Sequence, residues 1–315
     1  MVLGQTPPTR AVIDNFVRRA FVVELGIVVA LFVGFHAFTI ALDNVLDPYF
    51  LDSDTTLLVV RSVLALAGMG VITISYASWR GYSLPVSLPN RTDGWLIAAV
   101  VPGTAVLATL PFLLLALRVD VGVSHVASTV FELGGIFFNR RLIRVAYFVS
   151  GMVLLYHVLI QGALQRVFDH DRNLTVVVTT LLGGYLVAST VVTYGSFTNG
   201  PWVSLWGARA AVAVLFVLAL GIVVYADERS DASRMHGLGL LATLATLVLA
   251  VFVLMTEAGS PEGGLVVLTR AAVVGLAAYT YDRTESLVSP TLVYATYAIV
   301  STVFYSAVVA AVLGT

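Results

Sequence analysis

GLGLLATLATLVLAVFVLMT, residues 237–256, is twenty consecutive residues without a charge. Read as a helix rising about 1.5 Å per residue, it measures about 30 Å, the thickness of a bilayer's hydrocarbon core. Similar apolar stretches lie on both sides of it. Towards the C-terminus they cover residues 265–281 and 287–312, and towards the N-terminus 204–225, 174–194, 143–165, 95–117, 57–78 and 21–42. In lipid every backbone N–H and C=O needs an internal partner, so stretches of this length fold as helices. The sequence therefore predicts an all-α fold, a polytopic transmembrane bundle of eight or nine helices. Residues 1–20 form a cytoplasmic N-terminal segment, and 21–315 form a single transmembrane domain.

Composition points the same way. Of the 315 residues, 59% are hydrophobic and only 11% charged, with a mean hydropathy of +0.95; a soluble domain has about a quarter of its residues charged. The absence of cysteine excludes disulfides, thiolate metal sites and cysteine nucleophiles. All 17 basic residues are Arg, the net charge is −1, and no basic run exceeds pairs such as Arg18-Arg19 and Arg140-Arg141, so no nucleic-acid partner is expected. The bilayer is the expected partner and the cell membrane the expected location. The first span is longer than the apolar region of a signal peptide and lacks a small-residue cleavage site, so it reads as a retained helix.

Arg placement sets the expected orientation, because Arg is kept on the cytoplasmic side during insertion. With the N-terminus inside, Arg10, Arg18, Arg19, Arg80, Arg91, Arg166, Arg172, Arg229, Arg234 and Arg283 are cytoplasmic, ten of the 17. Arg118, Arg140, Arg141 and Arg144 fall on the other side. A surface helix over residues 124–138, followed by Arg anchors, accounts for them.

Ionisable groups inside a membrane are functional candidates by default. Four are visible: Glu24, His36, His157 and Arg270. Glu24 and Arg270 read as snorkelling or locally paired groups, and His36 as a buried histidine with no second ligand at residue 32 or 40. His157 stands out, because Gln161 lies one helical turn later on the same face and Tyr156 is beside it. No HExxH occurs and no two of the five histidines are four apart, so neither a metal nor another cofactor is expected.

Tyr156-His-Val-Leu-Ile-Gln161-Gly-Ala-Leu-Gln165-Arg166 resembles the first motif of the CPBP family, the CAAX prenyl-endopeptidase-like and bacteriocin-processing intramembrane proteases, which usually reads Glu-Glu-x-x-x-Arg-Gly. The tail from Tyr281-Asp-Arg-Thr through Pro290 to Tyr294 and Ala298 is similar to that family's final motif, where His and then Asn follow the Pro. Thr179 to Val187 falls where the family carries Phe-x-x-x-His. The resemblance covers residues 56–312, with an extra helical pair near 202–256. Every position it marks as catalytic is substituted: Tyr156 and His157 for the two Glu, Gln161 for the Arg, Gly183 for the Phe, Val187 for its His, and Tyr294 and Ala298 for the final His and Asn. Gly162, Gln165, Arg166, Arg283, Thr284 and Pro290, which shape packing and turns, are kept.

The resemblance thus implies a protease-like scaffold without its chemistry, with His157, Gln161, Tyr185 and Tyr294 as polar residues lining a cavity for a hydrophobic or lipidated peptide or another membrane protein. Two alternatives stay open. One is an active intramembrane endopeptidase with a site rearranged around His157. The other is a small-solute transporter or channel, for which the only helix-breaking signal is Gly183-Gly184.

Overall fold

The computed structural model describes residues 55–313 except 82, 83, 85, 87, 91, 92, 123–125, 127, 130–137, 169, 170, 189–201, 228–232 and 259, together with scattered positions between 24 and 46. In chain order the helices are α1 (Thr55–Arg80), α2 (Gly94–Arg118), α3 (Phe138–Met152), a π-helical stretch (Val153–Gln161), α4 (Gly162–Val167), α5 (Arg172–Ala188), α6 (Trp202–Asp227), α7 (Ser233–Ala258), α8 (Pro261–Thr284) and α9 (Val288–Leu313). Among the described residues there is no strand. α3, the π stretch and α4 follow one another without a break. Six helical segments are long and apolar enough to cross a bilayer: Val59–Arg80, Gly94–Arg118, Leu142–Gln165, Arg234–Thr256, Pro261–Thr284 and Val288–Val312. Each answers to an expected span. Arg172–Val187 and Ala211–Val223 are shorter apolar helices.

The chain packs as two compact units, residues 1–31 with 200–253, and 32–199 with 254–315. In the first, α7 turns back on α6 where Gly239 lets the helices touch: a Cβ there would stand 2.9 Å from the Val223 amide nitrogen. Large apolar side chains of α7, such as Leu241, Val248 and Phe252, are exposed along its length. In water such a surface would aggregate, whereas in lipid it is solvated.

The second unit is built around α8. It packs along α5, α2 and α9, while α9 also lies on α2 and α3, and α1 covers α3 and the π stretch. The Leu142–Gln165 segment is the most enclosed, with 56% of its apolar window buried. α8 starts on a built cap: Ser260 Oγ accepts from the Gly263 N–H (3.1 Å), Pro261 occupies the first turn, and Glu262 follows where a carboxylate suits the helix N-terminus. It ends at Glu285, whose left-handed φ of 48° turns the chain while its N–H reaches Tyr281 O at 2.8 Å. Thr284 Oγ1 and Ser289 Oγ, 2.8 Å apart, staple α8 to α9 across that turn, and Pro290 is buried just after it.

Ion pairs mark the two ends of this unit. Arg118 Nη1 meets Glu262 at 2.7 Å, joining the end of α2 to the start of α8, and Arg172 Nη2 meets Glu285 at 2.8 Å, joining the start of α5 to the end of α8. Arg118 therefore has a carboxylate partner at the surface where the charge rule disfavoured it. Of the expected surface helix, Val126 is helical and buried with Ala116, Ala307 and Val308. Residues 130–137 lie outside the described residues, as do His36, Arg10, Arg18, Arg19, Arg91 and Arg229.

Candidate functional site

The π stretch coincides with the segment carrying Tyr156, His157 and Gln161. In this register the Gly162 N–H reaches back five residues to His157 O, and such turns are often found at functional sites. His157 and Gln161 are completely buried and stack four residues apart, with Nδ1 and Oε1 separated by 2.7 Å. His157 Nε2 lies 2.9 Å from Tyr294 Oη on α9. Gln161 Nε2 donates to Ala278 O on α8 at 3.0 Å.

These bonds have one consistent direction. The Ala278 carbonyl can only accept, so it receives the Gln161 amide N–H and turns Oε1 towards the imidazole. Oε1 also only accepts, so the proton sits on Nδ1. An unpaired buried charge is far costlier than a neutral ring, so Nε2 accepts from the Tyr294 hydroxyl. The chain runs Tyr294 to His157 to Gln161 to Ala278, across α9, the π stretch and α8. The rings of Tyr281 and Tyr294 flank the imidazole at 5.6 and 5.5 Å, and Phe148 stands edge-on to Tyr294 at 6.4 Å.

The Tyr156 ring packs on α5 at Gly183, where a Cβ would stand 2.8 Å from Tyr156 Cδ1 and 3.0 Å from Val274 Cγ1. Gly184 sits as close to Ala271, 3.0 Å from a Cβ to the Ala271 Cα. The glycine pair is thus a packing surface, and α5 runs through it unbroken. Val187 and Ala298 are buried, with side chains that supply no hydrogen bond; Tyr185 is buried on α5. The structure therefore joins His157, Gln161 and Tyr294 directly and sets Tyr156 against the Gly183 helix.

The other candidate groups take no part in these hydrogen bonds. Arg270 is buried, its Nε donating to Tyr297 Oη at 3.0 Å. Glu24 is buried in the other unit, as is Arg209, which is 1% exposed. Arg209 was not singled out from the sequence, although it lies inside the 204–225 span. Ala278 and Tyr297 were also missed, since a main-chain carbonyl and a Tyr on an apolar helix carry no signal of their own, and Tyr281 was quoted only as the aromatic that opens the final motif. Among the described residues no group of three or more His, Asp or Glu could hold a metal ion. Comparison with family models, curated proteins and solved structures finds no match.

Proposed function

We propose that this multi-pass membrane protein uses a core resembling the CPBP scaffold to bind a hydrophobic or lipidated peptide, or another membrane protein, without cleaving it, and that the surface bearing Arg80, Arg172 and Arg283 is cytoplasmic. The observation that carries the reading is the closure of His157. A general base needs an acceptor nitrogen within reach of the attacking water, and here Nε2 is occupied by Tyr294 and Nδ1 by Gln161, both in a fully buried setting. Support also comes from the meeting of the three motif helices, at Tyr156 with Gly183 and at His157 with Tyr294. The separate packing of residues 200–253 matches the extra helical pair.

The convergence of His157, Gln161 and Tyr294 also favours the second reading, an endopeptidase in which Tyr294 swings aside to free the imidazole. One experiment separates the two. Protein reconstituted in liposomes is incubated with prenylated and unmodified hydrophobic peptides, and the products are read by mass spectrometry beside a peptide-binding measurement. Retention of intact peptide is expected. Cleavage that disappears in His157→Ala would overturn the binding reading in favour of the enzyme. The transporter reading loses its one sequence signal, since Gly183 and Gly184 serve helix contact.

A further inference from the structure

Arg270 lies nine residues from Pro261 and fourteen from Thr284, about 13 Å and 21 Å along α8 at 1.5 Å per residue. Its depth is therefore well inside the apolar layer. Both Arg270 and Tyr297 are more than nine-tenths buried. The Arg270 Nη1 is enclosed and has no hydrogen-bond partner. Arg118 and Arg172 each hold a carboxylate, whereas Arg270 has none among the described residues. A guanidinium keeps its charge in proteins, and a buried cation without a counter-charge is strongly unfavourable.

The neighbouring hydroxyl increases the imbalance. Tyr297 Oη accepts the Arg270 Nε–H, so its own hydrogen is left to donate. The free groups here are an N–H and an O–H, both donors, beside a positive charge. We propose that Arg270 and Tyr297 form a binding site for a small monovalent anion, a halide such as chloride. The size follows from the burial of both side chains, with the Phe148 ring 6.3 Å from that of Tyr297. The single charge follows from the single guanidinium, since a divalent anion would leave net negative charge in the bilayer. A phospholipid headgroup would have to sink about 13 Å below the start of α8. The proposal rests on neither the peptide-binding reading nor the family resemblance.

The test is thermal unfolding of the full-length protein in detergent, with sodium gluconate exchanged for chloride or bromide at constant ionic strength. A ligand bound only by the folded state raises Tm with the logarithm of its concentration above Kd, by roughly 5 °C once it exceeds its Kd a hundredfold. Arg270→Gln should abolish that rise, and Tyr297→Phe should shift its onset about tenfold towards higher halide, as loss of one hydrogen bond of about 1.4 kcal/mol would. If Arg270→Gln does not fold, Tyr297→Phe and the anomalous signal of bromide beside Nη1 in crystals decide the matter. A wild-type Tm indifferent to halide, an unchanged response in Tyr297→Phe with no bromide at Nη1, or stabilisation by an anionic phospholipid alone would overturn the site.

Discussion

At the scale of single residues, the polar chain from Tyr294 to Ala278 gives an ordering of mutational effects. Tyr294→Phe removes one hydroxyl and keeps the ring against Phe148 and His157. Hydrogen bonds between membrane helices average about 0.6 kcal/mol and reach about 1.7, so a loss of about 1 kcal/mol is expected. Gln161→Leu does more, since it leaves the His157 Nδ1–H buried without a partner and takes from the Ala278 carbonyl the donor it receives beside its own helix bond, and about 2–3 kcal/mol is expected. Unfolding in mixed micelles would measure both, and a larger effect for Tyr294→Phe would contradict the assigned direction. The His157 to Gln161 bond was legible from the spacing alone. Tyr294 was named beside them only through the resemblance, and the Ala278 carbonyl not at all, because a backbone carbonyl on α8 becomes a partner only through the way three helices cross. Arg209 was overlooked for another reason: one Arg near the start of a long apolar span resembles an interfacial anchor until its burial is known.

For the helices, the sequence was informative about spans and silent about register. VLLYHVLIQ is as apolar as its neighbours and reads as a continuous α-helix, yet it adopts the i→i+5 register. That choice depends on packing against α1, α5, α8 and α9, which no local propensity encodes. Gly183-Gly184 likewise looked like a break and is a contact. Gly184→Ala would drive a Cβ to 3.0 Å from the Ala271 Cα, a main-chain atom that cannot rotate away, so helices α5 and α8 must separate. Overpacking of this kind costs about 1–3 kcal/mol. Gly103, in α2, has nothing within 4 Å of its would-be Cβ. Gly103→Ala is therefore expected to be neutral or to stabilise by up to about 1 kcal/mol through helix propensity. Equal losses in the two variants, measured in the same micelle assay, would refute the contact argument.

On the scale of the whole molecule, orientation can be argued from the second unit alone. The Arg172 to Glu285 pair sets the start of α5 beside the end of α8, and the Arg118 to Glu262 pair sets the end of α2 beside the start of α8. The two pairs therefore mark opposite membrane surfaces. Since α2 ends with Glu262, it begins on the Arg172 side, and the segment joining it to α1 brings Arg80 there too. Arg80 lies 4.3 Å over the ring of Trp79, and both Trp79 and Trp95 are exposed, as aromatic residues at a membrane boundary are. Arg283 joins the same surface, stacked on Tyr279. Arg118, paired with Glu262, shares the opposite surface with Arg140, Arg141 and Arg144 at the start of α3, so the proposed cytoplasmic assignment of the Arg172 side is decided by labelling from each side of the membrane. The chain contains no cysteine, so single introduced thiols report without background. Asn173 and Asp120 are exposed on the two surfaces. In intact cells a membrane-impermeant maleimide should label Asp120→Cys and spare Asn173→Cys until the membrane is opened. The opposite pattern would invert the topology, and labelling of both in intact cells would mean that the two ion pairs do not face opposite sides of one bilayer.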